Sequence, residues 1–141
     1  KSVKALKPKS LELLPVIKAL EELAADSRAK LNMHVSLNVH GQPFNTLPEF
    51  NMALYRAVQE GITNSARHGK AGRVDVNMAF SEGGLTVFIS DDGTGAEKFA
   101  LGSGLEGMVE RMKEYRGETA FFAREGFMIY IKVPKEEIKN E

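Results

Sequence analysis

The spacing of apolar residues changes several times along the chain, and each change predicts a new element of secondary structure. Apolar residues recur at helical spacing from Leu11 to Lys30, after Ser10 as a candidate N-cap, and alternate with polar residues at strand spacing from Leu31 to Val39. From Glu49 to His68 an apolar residue stands at every fourth position, which predicts a long amphipathic helix.

The second half of the chain mixes strand and helix patterns. Strands are predicted at 74–80, 85–89, 119–124 and 127–133, and a helix at 105–115. Short glycine-containing turns connect the strands in pairs, so they form two hairpins. Hairpins combined with helices predict a two-layer α/β sandwich, in which about three helices cover one face of a mixed, mainly antiparallel sheet.

The two ends of the chain differ from its middle. Residues 1–10 contain four lysines and a proline, which is typical of a linker, and residues 135–141 form a charged tail that we expect to be solvated. A single domain then covers residues 11–134. We expect the linker to follow an upstream segment of a longer protein.

The composition narrows the chemistry. Nineteen basic residues balance nineteen acidic ones, so no broad charge draws the chain to nucleic acid or to an anionic bilayer. The absence of cysteine excludes disulfides, thiolate metal sites and a cysteine nucleophile. No apolar run approaches the roughly 20 residues that cross a bilayer, so we expect a soluble piece without membrane contact. His34 and His40 lack further ligands and are expected at the surface.

A polar stripe on the helix predicted at 49–68 is the first candidate site. It consists of Glu60, Asn64, Arg67 and His68. Such a stripe is usually solvent-exposed, but the run from Gly61 to Ser65 contains poor helix formers, which is typical of a functional constraint. An asparagine can bind a hard cation, arginine and histidine can contact phosphate, and glutamate can act as a base. Spacing alone does not decide whether this stripe is a solvated face or a binding site.

Two glycine-containing loops are further candidates. The segment Asp91-Asp92-Gly93-Thr94-Gly95 ends an apolar strand. It is either a plain turn or a turn that fixes an aspartate to accept a hydrogen bond from an amino group, such as that of a purine. It lacks the carboxylate pattern of an EF-hand calcium loop. Gly102-Ser103-Gly104-Leu105 enters a helix directly, so it is either a plain loop or a phosphate site.

In this order, the three features resemble the N, G1 and G2 boxes of the GHKL ATPases, a superfamily that includes the sensor histidine kinases. The matching patterns are Glu60-x-x-x-Asn64-x-x-Arg67-His68, Asp91-x-Gly93-x-Gly95 and Gly102-x-Gly104-Leu105. The segments 54–68 and 104–111 are most similar to the NarX/DesK-like group of histidine kinases. The likeness extends from about Leu6 to Pro134.

The resemblance implies the Bergerat fold and a site for ATP and Mg²⁺. By position, Asn64 would hold the magnesium ion, Arg67 and His68 would neighbour the phosphates, and Asp91 would receive the adenine amino group. Gly93 and Gly95 would let the backbone pass the base, and the segment from Gly102 through Ser103 and Gly104 to Leu105 would close on the phosphates. Glu60 matches an acidic position that hydrolytic members use as a base. The reaction would be in-line transfer of the γ-phosphoryl group.

Several positions depart from the usual family pattern. Asp92 stands where the family often has asparagine, Arg67 where it usually has lysine, and Phe127 where many members have a threonine near the adenine pocket. Only six residues, 96–101, separate the last glycine of the G1 box from the G2 box, which implies a short lid.

The histidine kinase resemblance also implies partners. The group carries its phosphoacceptor histidine in an upstream dimerisation domain, within an acidic and arginine-rich motif. None of His34, His40 and His68 has that setting, so the chain is expected not to autophosphorylate alone. The resemblance also implies a cytoplasmic domain, a homodimeric parent protein, a monomeric isolated domain and a response regulator of the NarL type. The alternatives are a GHKL serine kinase of the anti-sigma-factor type, a degenerate nucleotide-binding interaction module, and an unrelated α/β domain.

Overall fold

The computed structural model of the protein describes residues 14–67, 70–93, 104–123 and 125–141. In chain order its elements are α1 (Pro15–Leu31), β1 (His34–Gly41), α2 (Pro48–Arg67), β2 (Arg73–Ser81), β3 (Gly84–Asp91), α3 (Leu105–Lys113), β4 (Glu118–Ala123), β5 (Phe127–Pro134) and α4 (Lys135–Ile138).

The predicted helices and hairpins are confirmed, with small shifts at their ends. Helix α1 begins at Pro15, a position where the missing N–H of proline would have no partner within the helix, and its N-cap is Leu14. Ser10, the predicted N-cap, lies outside the described residues. Leu31, predicted to begin the first strand, is the last residue of α1.

The five strands form one sheet in the order β1-β2-β3-β5-β4. The pairing of β1 with β2 is parallel and the other pairings are antiparallel, so the predicted mixed, mainly antiparallel sheet is confirmed. Because side chains alternate along a strand, β2, β3 and β5 each turn one row of apolar residues toward the helices. His34 and His40 are exposed, as predicted.

Helix α2 lies across the sheet and forms the centre of the core. Phe50, Leu54 and Ile62 on this helix are at most 1% exposed. A Cβ at Gly61 would lie 3.1 Å from Cγ2 of Ile89 on β3, which is tighter than ordinary packing. A glycine at this position therefore lets the C-terminal half of α2 approach the sheet closely, next to the strand end that carries Asp91.

Residues 135–141, expected as a solvated tail, are charged but not detached. Helix α4 buries Ile138 completely. The backbone N–H of Leu47 donates to the carbonyl oxygen of Ile138 at 2.8 Å, and Asn140 donates to Asn45 at 2.9 Å. The expectation of a solvated tail is wrong here because one apolar residue, Ile138, completes the core at this end of the sheet.

Within the described parts of the chain, no helix is both long enough and apolar enough to span a membrane.

Candidate functional site

Asn64, predicted on a polar stripe, is almost completely buried. Its side chain is 1% exposed, and neither its amide oxygen nor its amide nitrogen has a hydrogen-bond partner among the residues that the structure describes. A buried amide without partners destabilises a folded protein, so such groups are rare outside functional sites. The amide oxygen is a ligand of the kind that Mg²⁺ binds, so this donor set fits the metal that the resemblance implies.

Asp91 is the last residue of β3, and three protein donors hold its carboxylate. The hydroxyl of Ser65 on α2 donates to Oδ2 at 2.6 Å. The backbone N–H groups of Gly93 and Phe127 donate to Oδ1 at 2.8 and 3.0 Å. These bonds join a helix, a strand end and the start of β5, so the carboxylate is fixed rather than free to rotate.

Gly126 is the residue of the β4–β5 turn that lies against Asp91. Its φ of +118° favours glycine, and a Cβ there would overlap the carbonyl oxygen of Asp91. The sequence pattern indicates only a glycine-containing turn at Glu125-Gly126, and it predicts no role for Ser65. The run of poor helix formers from Gly61 to Ser65 contained the clue to the serine, but the bond to Asp91 spans 26 positions and no local pattern predicts it.

Glu60 and Gly104, from the predicted N and G2 boxes, are brought together. Gly104 precedes α3 with a φ of +97°, and a Cβ on it would overlap the carboxylate of Glu60. The carboxylate therefore lies at the N-terminal end of α3, where the free backbone N–H groups of a helix attract anions. Leu105 is fully buried, so any contribution it makes to binding comes from its backbone.

The remaining predicted residues divide into two groups. Arg67 is exposed at the end of α2, and Gly93 contributes its backbone N–H to Asp91. The structure does not describe His68, Gly95, Gly102 and Ser103, nor any residue of the expected lid, 96–101.

A cavity of about 720 Å³ opens at the ends of β3, β4 and β5. Asp91, Gly126 and Phe127 are among its lining residues, together with two aromatic residues of β4, Phe121 and Phe122. The rings of Phe121 and Phe127 stack at a centroid distance of 6.1 Å. The volume suits a small organic ligand, and aromatic walls beside an anchored carboxylate suit a flat heterocycle with an amino group.

A second anchored carboxylate lies at the same end of the sheet but on its uncovered face. Asp75 accepts a hydrogen bond from Ser36 at 2.5 Å and pairs with Arg73. Partial burial raises the pKa of Asp75, but the hydrogen bonds from Ser36 and Arg73 and the charge of Arg73 outweigh this effect and lower it overall. The hydrogen bond with Asp75, and then its charge, raise the pKa of Arg73.

Comparisons with known proteins show which proteins this chain resembles. No protein-family model matches the chain. Its sequence is 32% identical over 106 residues to the sensor histidine kinase LnrJ of Bacillus subtilis, covering 75% of this chain and 26% of that protein. It is 30% identical over 144 residues to the sensor histidine kinase LiaS of the same bacterium, covering 96% of this chain and 39% of that protein. The chain thus spans about a quarter to two fifths of these relatives.

The fold agrees with the sequence comparison. The ATP-binding domain of PrrB from Mycobacterium tuberculosis matches with a TM-score of 0.67 over 84% of this chain and 92% of that domain, at 23% identity. By its sequence, the chain belongs to the sensor histidine kinase family, and its fold is that of the PrrB ATP-binding domain. The predicted membership of the histidine kinase family is therefore confirmed. Membership of the NarX/DesK-like group stays a prediction.

Proposed function

We propose that this domain binds ATP with Mg²⁺ and transfers the γ-phosphoryl group to a histidine of a separate dimerisation domain, for relay to a response regulator. One observation carries the proposal: two consecutive residues of α2 present a buried amide and an anchoring hydroxyl. The amide of Asn64 has no hydrogen-bond partner among the described residues, and the hydroxyl of Ser65 anchors Asp91. The helix thus joins a candidate metal ligand to a candidate base-binding carboxylate.

The adenine end of the proposed site is formed by Asp91. Its carboxylate accepts hydrogen bonds only, so a ligand must offer a donor such as the 6-amino group of adenine. Gly93 and Gly126 allow the backbone to pass close to the base, and we assign the same role to Gly95 by its position in the motif. The aromatic residues at the cavity support stacking against a purine ring.

The phosphate end is proposed between α2 and the start of α3. Asn64 would hold the magnesium ion through its amide oxygen, and Arg67 and His68 would contact the phosphates. The segment from Gly102 to Leu105 would present backbone N–H groups to the same phosphates at the helix N-terminus. Bound magnesium would neutralise charge that develops on the phosphate oxygens.

The proposed chemistry is an in-line displacement. A ring nitrogen of the acceptor histidine forms a bond to the γ-phosphorus while the bond from this phosphorus to the bridging oxygen breaks, and its electron pair leaves on ADP. The domain contributes positioning and charge neutralisation, and the carboxylate of Glu60 is placed at the phosphate end, where it can accept a proton from the acceptor or orient it.

The finer partners are proposals of the same kind. We propose a homodimeric parent protein whose response regulator is of the NarL type, action in the cytoplasm, and a monomeric isolated domain. None of His34, His40 and His68 lies in the acidic, arginine-rich setting expected of an acceptor, so the isolated chain is expected to leave no phosphohistidine on itself.

The first test is calorimetric titration of a non-hydrolysable ATP analogue, with and without Mg²⁺, into the wild type and Asp91→Ala. We expect saturable binding that weakens without Mg²⁺ and a loss of about ten- to a hundredfold in Asp91→Ala, because the ligand's amino group loses its charged acceptor. Asp75→Ala is the matched control, since Asp75 also accepts a serine hydroxyl at this end of the sheet, but on the opposite face.

Two outcomes would contradict the proposal. If the wild type binds no nucleotide, the domain is an interaction module with this fold rather than an enzyme. If it binds ATP but, with acceptor domain added, phosphorylates serine rather than histidine, the anti-sigma-factor type of kinase is the correct alternative.

A further inference from the structure

The hydroxyl of Ser65 is used in an unusual way for a serine inside a helix. A buried helical serine commonly donates to the carbonyl oxygen four residues earlier, as Ser27 does to Leu23 at 2.8 Å. Ser65, which is 3% exposed, instead donates to Oδ2 of Asp91 on β3 at 2.6 Å. Its hydroxyl therefore connects the helix that carries Asn64 to the strand end that carries the carboxylate.

Among the residues that the structure describes, the hydrogen bonds of Asp91 leave one acceptor position for a ligand. An ionised carboxylate has about four acceptor positions, two on each oxygen. On Oδ1 both are filled, by the N–H groups of Gly93 and Phe127. On Oδ2 one position is filled, by the hydroxyl of Ser65. Asp91 itself lines the cavity at the strand ends. The free position on Oδ2 is thus defined by where the serine donates.

We propose that Ser65 is a positioning residue that sets the base specificity of this domain. By occupying one acceptor position of Oδ2, the serine directs the other toward a donor at carbon 6 of a purine. The inference rests on the proposed function, since it assumes that a nucleotide occupies the cavity. A 6-amino purine is then accepted, whereas a 6-oxo purine places an oxygen against a carboxylate oxygen that cannot turn away.

The consequence of losing the serine follows from this geometry. In Ser65→Ala, Asp91 keeps its two backbone donors and its charge, so it still binds an amino group. Oδ2 then has two free positions, and a water molecule can bridge it to a 6-oxo group. Affinity for adenine nucleotides falls modestly while affinity for hypoxanthine nucleotides falls less or rises, so the discrimination between them decreases.

The test compares ADP with inosine diphosphate, which differs at carbon 6 by an oxo group and at N1 by a proton. Dissociation constants are measured by calorimetry for the wild type, Ser65→Ala and the matched control Ser27→Ala, another buried helical serine. We expect the preference for ADP to fall about tenfold in Ser65→Ala, the change expected for one hydrogen bond to a charged group, and to stay unchanged in Ser27→Ala.

A second comparison separates positioning from a structural role. If Ser65 acts through Asp91, adding Ser65→Ala to Asp91→Asn changes the preference no further. An equal loss of affinity for both nucleotides in Ser65→Ala, or an unchanged preference, overturns the inference while leaving the proposed function intact. Absence of binding of either nucleotide to the wild type overturns both.

Discussion

Two buried polar residues at opposite ends of the sheet, Thr46 and Asn64, differ in their hydrogen bonding. At the end formed by the β2–β3 turn and helix α4, the buried hydroxyl of Thr46 bonds to Asn51, and Thr46 pairs with Lys139 in an isolated bridge. At the other end, the equally buried amide of Asn64 has no partner in the described part of the chain. Polar groups that bond to each other stabilise the fold, whereas polar groups left open are available to a ligand.

The same two ends place a glycine in the same kind of strained position. A Cβ on Gly84 would overlap the carbonyl oxygen of Val133, and a Cβ on Gly126 would overlap that of Asp91. Both glycines have positive φ and both contact backbone rather than flexible side chains. The local physics is identical, and the difference lies in whether the neighbour belongs to the candidate site.

The largest effects are expected from alanine at these two glycines. Gly84→Ala and Gly126→Ala should each destabilise the domain by about 2–4 kcal/mol, because the backbone must move to admit the new carbon. Gly126→Ala should in addition weaken ADP binding more than tenfold, because the backbone that moves is that of Asp91. Urea unfolding gives the stabilities, and calorimetry at a temperature where both variants are folded gives the affinities.

One result with these two glycine variants would contradict the comparison between the ends of the sheet. If Gly84→Ala weakens ADP binding as much as Gly126→Ala does, the two ends of the sheet are not independent. The loss of affinity would then report general loosening of the fold rather than displacement of Asp91.

The next effect should have opposite signs at the two ends. Thr46→Val removes a hydroxyl that donates to Oδ1 of Asn51 and should lower the free energy of unfolding by about 1–2 kcal/mol, since this partly buried oxygen loses its donor. Asn64→Leu replaces an amide that has no partner among the described residues with an apolar group of similar size. It should leave stability unchanged or raise it by up to about 1 kcal/mol. Nucleotide binding in the presence of Mg²⁺ should be lost only in Asn64→Leu.

A marked loss of stability in Asn64→Leu would contradict this comparison. It would mean that the amide has partners within the protein, such as residues of the lid, and is not held open for a ligand. Thr46→Val with normal stability would show that the bond to Asn51 makes no net contribution.

The sequence predicted the framework well because periodicity alone defines it. Alternation over residues 74–80 and 127–133, and the fourfold spacing in the helix predicted at 49–68, reflect burial of one face, which holds in any sheet with helices on one side. Where a single residue decides, the pattern was insufficient: Ile138 is one apolar position among charged neighbours, and its burial depends on a contact with the distant segment 45–47.

The site was predicted in part, for a similar reason. Asn64 and Asp91 lie in recognisable local motifs, and the run of poor helix formers indicated a constraint on α2. Ser65 and Gly126 act on Asp91 from positions 26 residues before it and 35 residues after it, so their roles emerge only once the strands are paired. The backbone N–H of Phe127 holds Asp91 in the same way, and a backbone group leaves no trace in residue identity.

The smallest expected effect concerns the two aspartates that lie at one end of the sheet on opposite faces. Asp91 is held by two backbone N–H groups and Ser65, whereas Asp75 is held by Ser36 and the exposed Arg73. The lowered pKa of Asp75 means that its contribution to stability is present above its ordinary pKa of 3.8 and is lost as the pH falls through the lower value of the folded state. Asp75→Asn should therefore lower the melting temperature by only about 1–2 °C at pH 7, and less at high salt, because exposed ion pairs are weak and screened.

The difference in melting temperature between Asp75→Asn and the wild type should shrink below pH 4, while ADP affinity at pH 7 stays the same. A difference that persists at pH 2 would mean that Asp75 stabilises the sheet through packing or neutral hydrogen bonds, and a change in ADP affinity would mean that the two faces of the sheet are coupled.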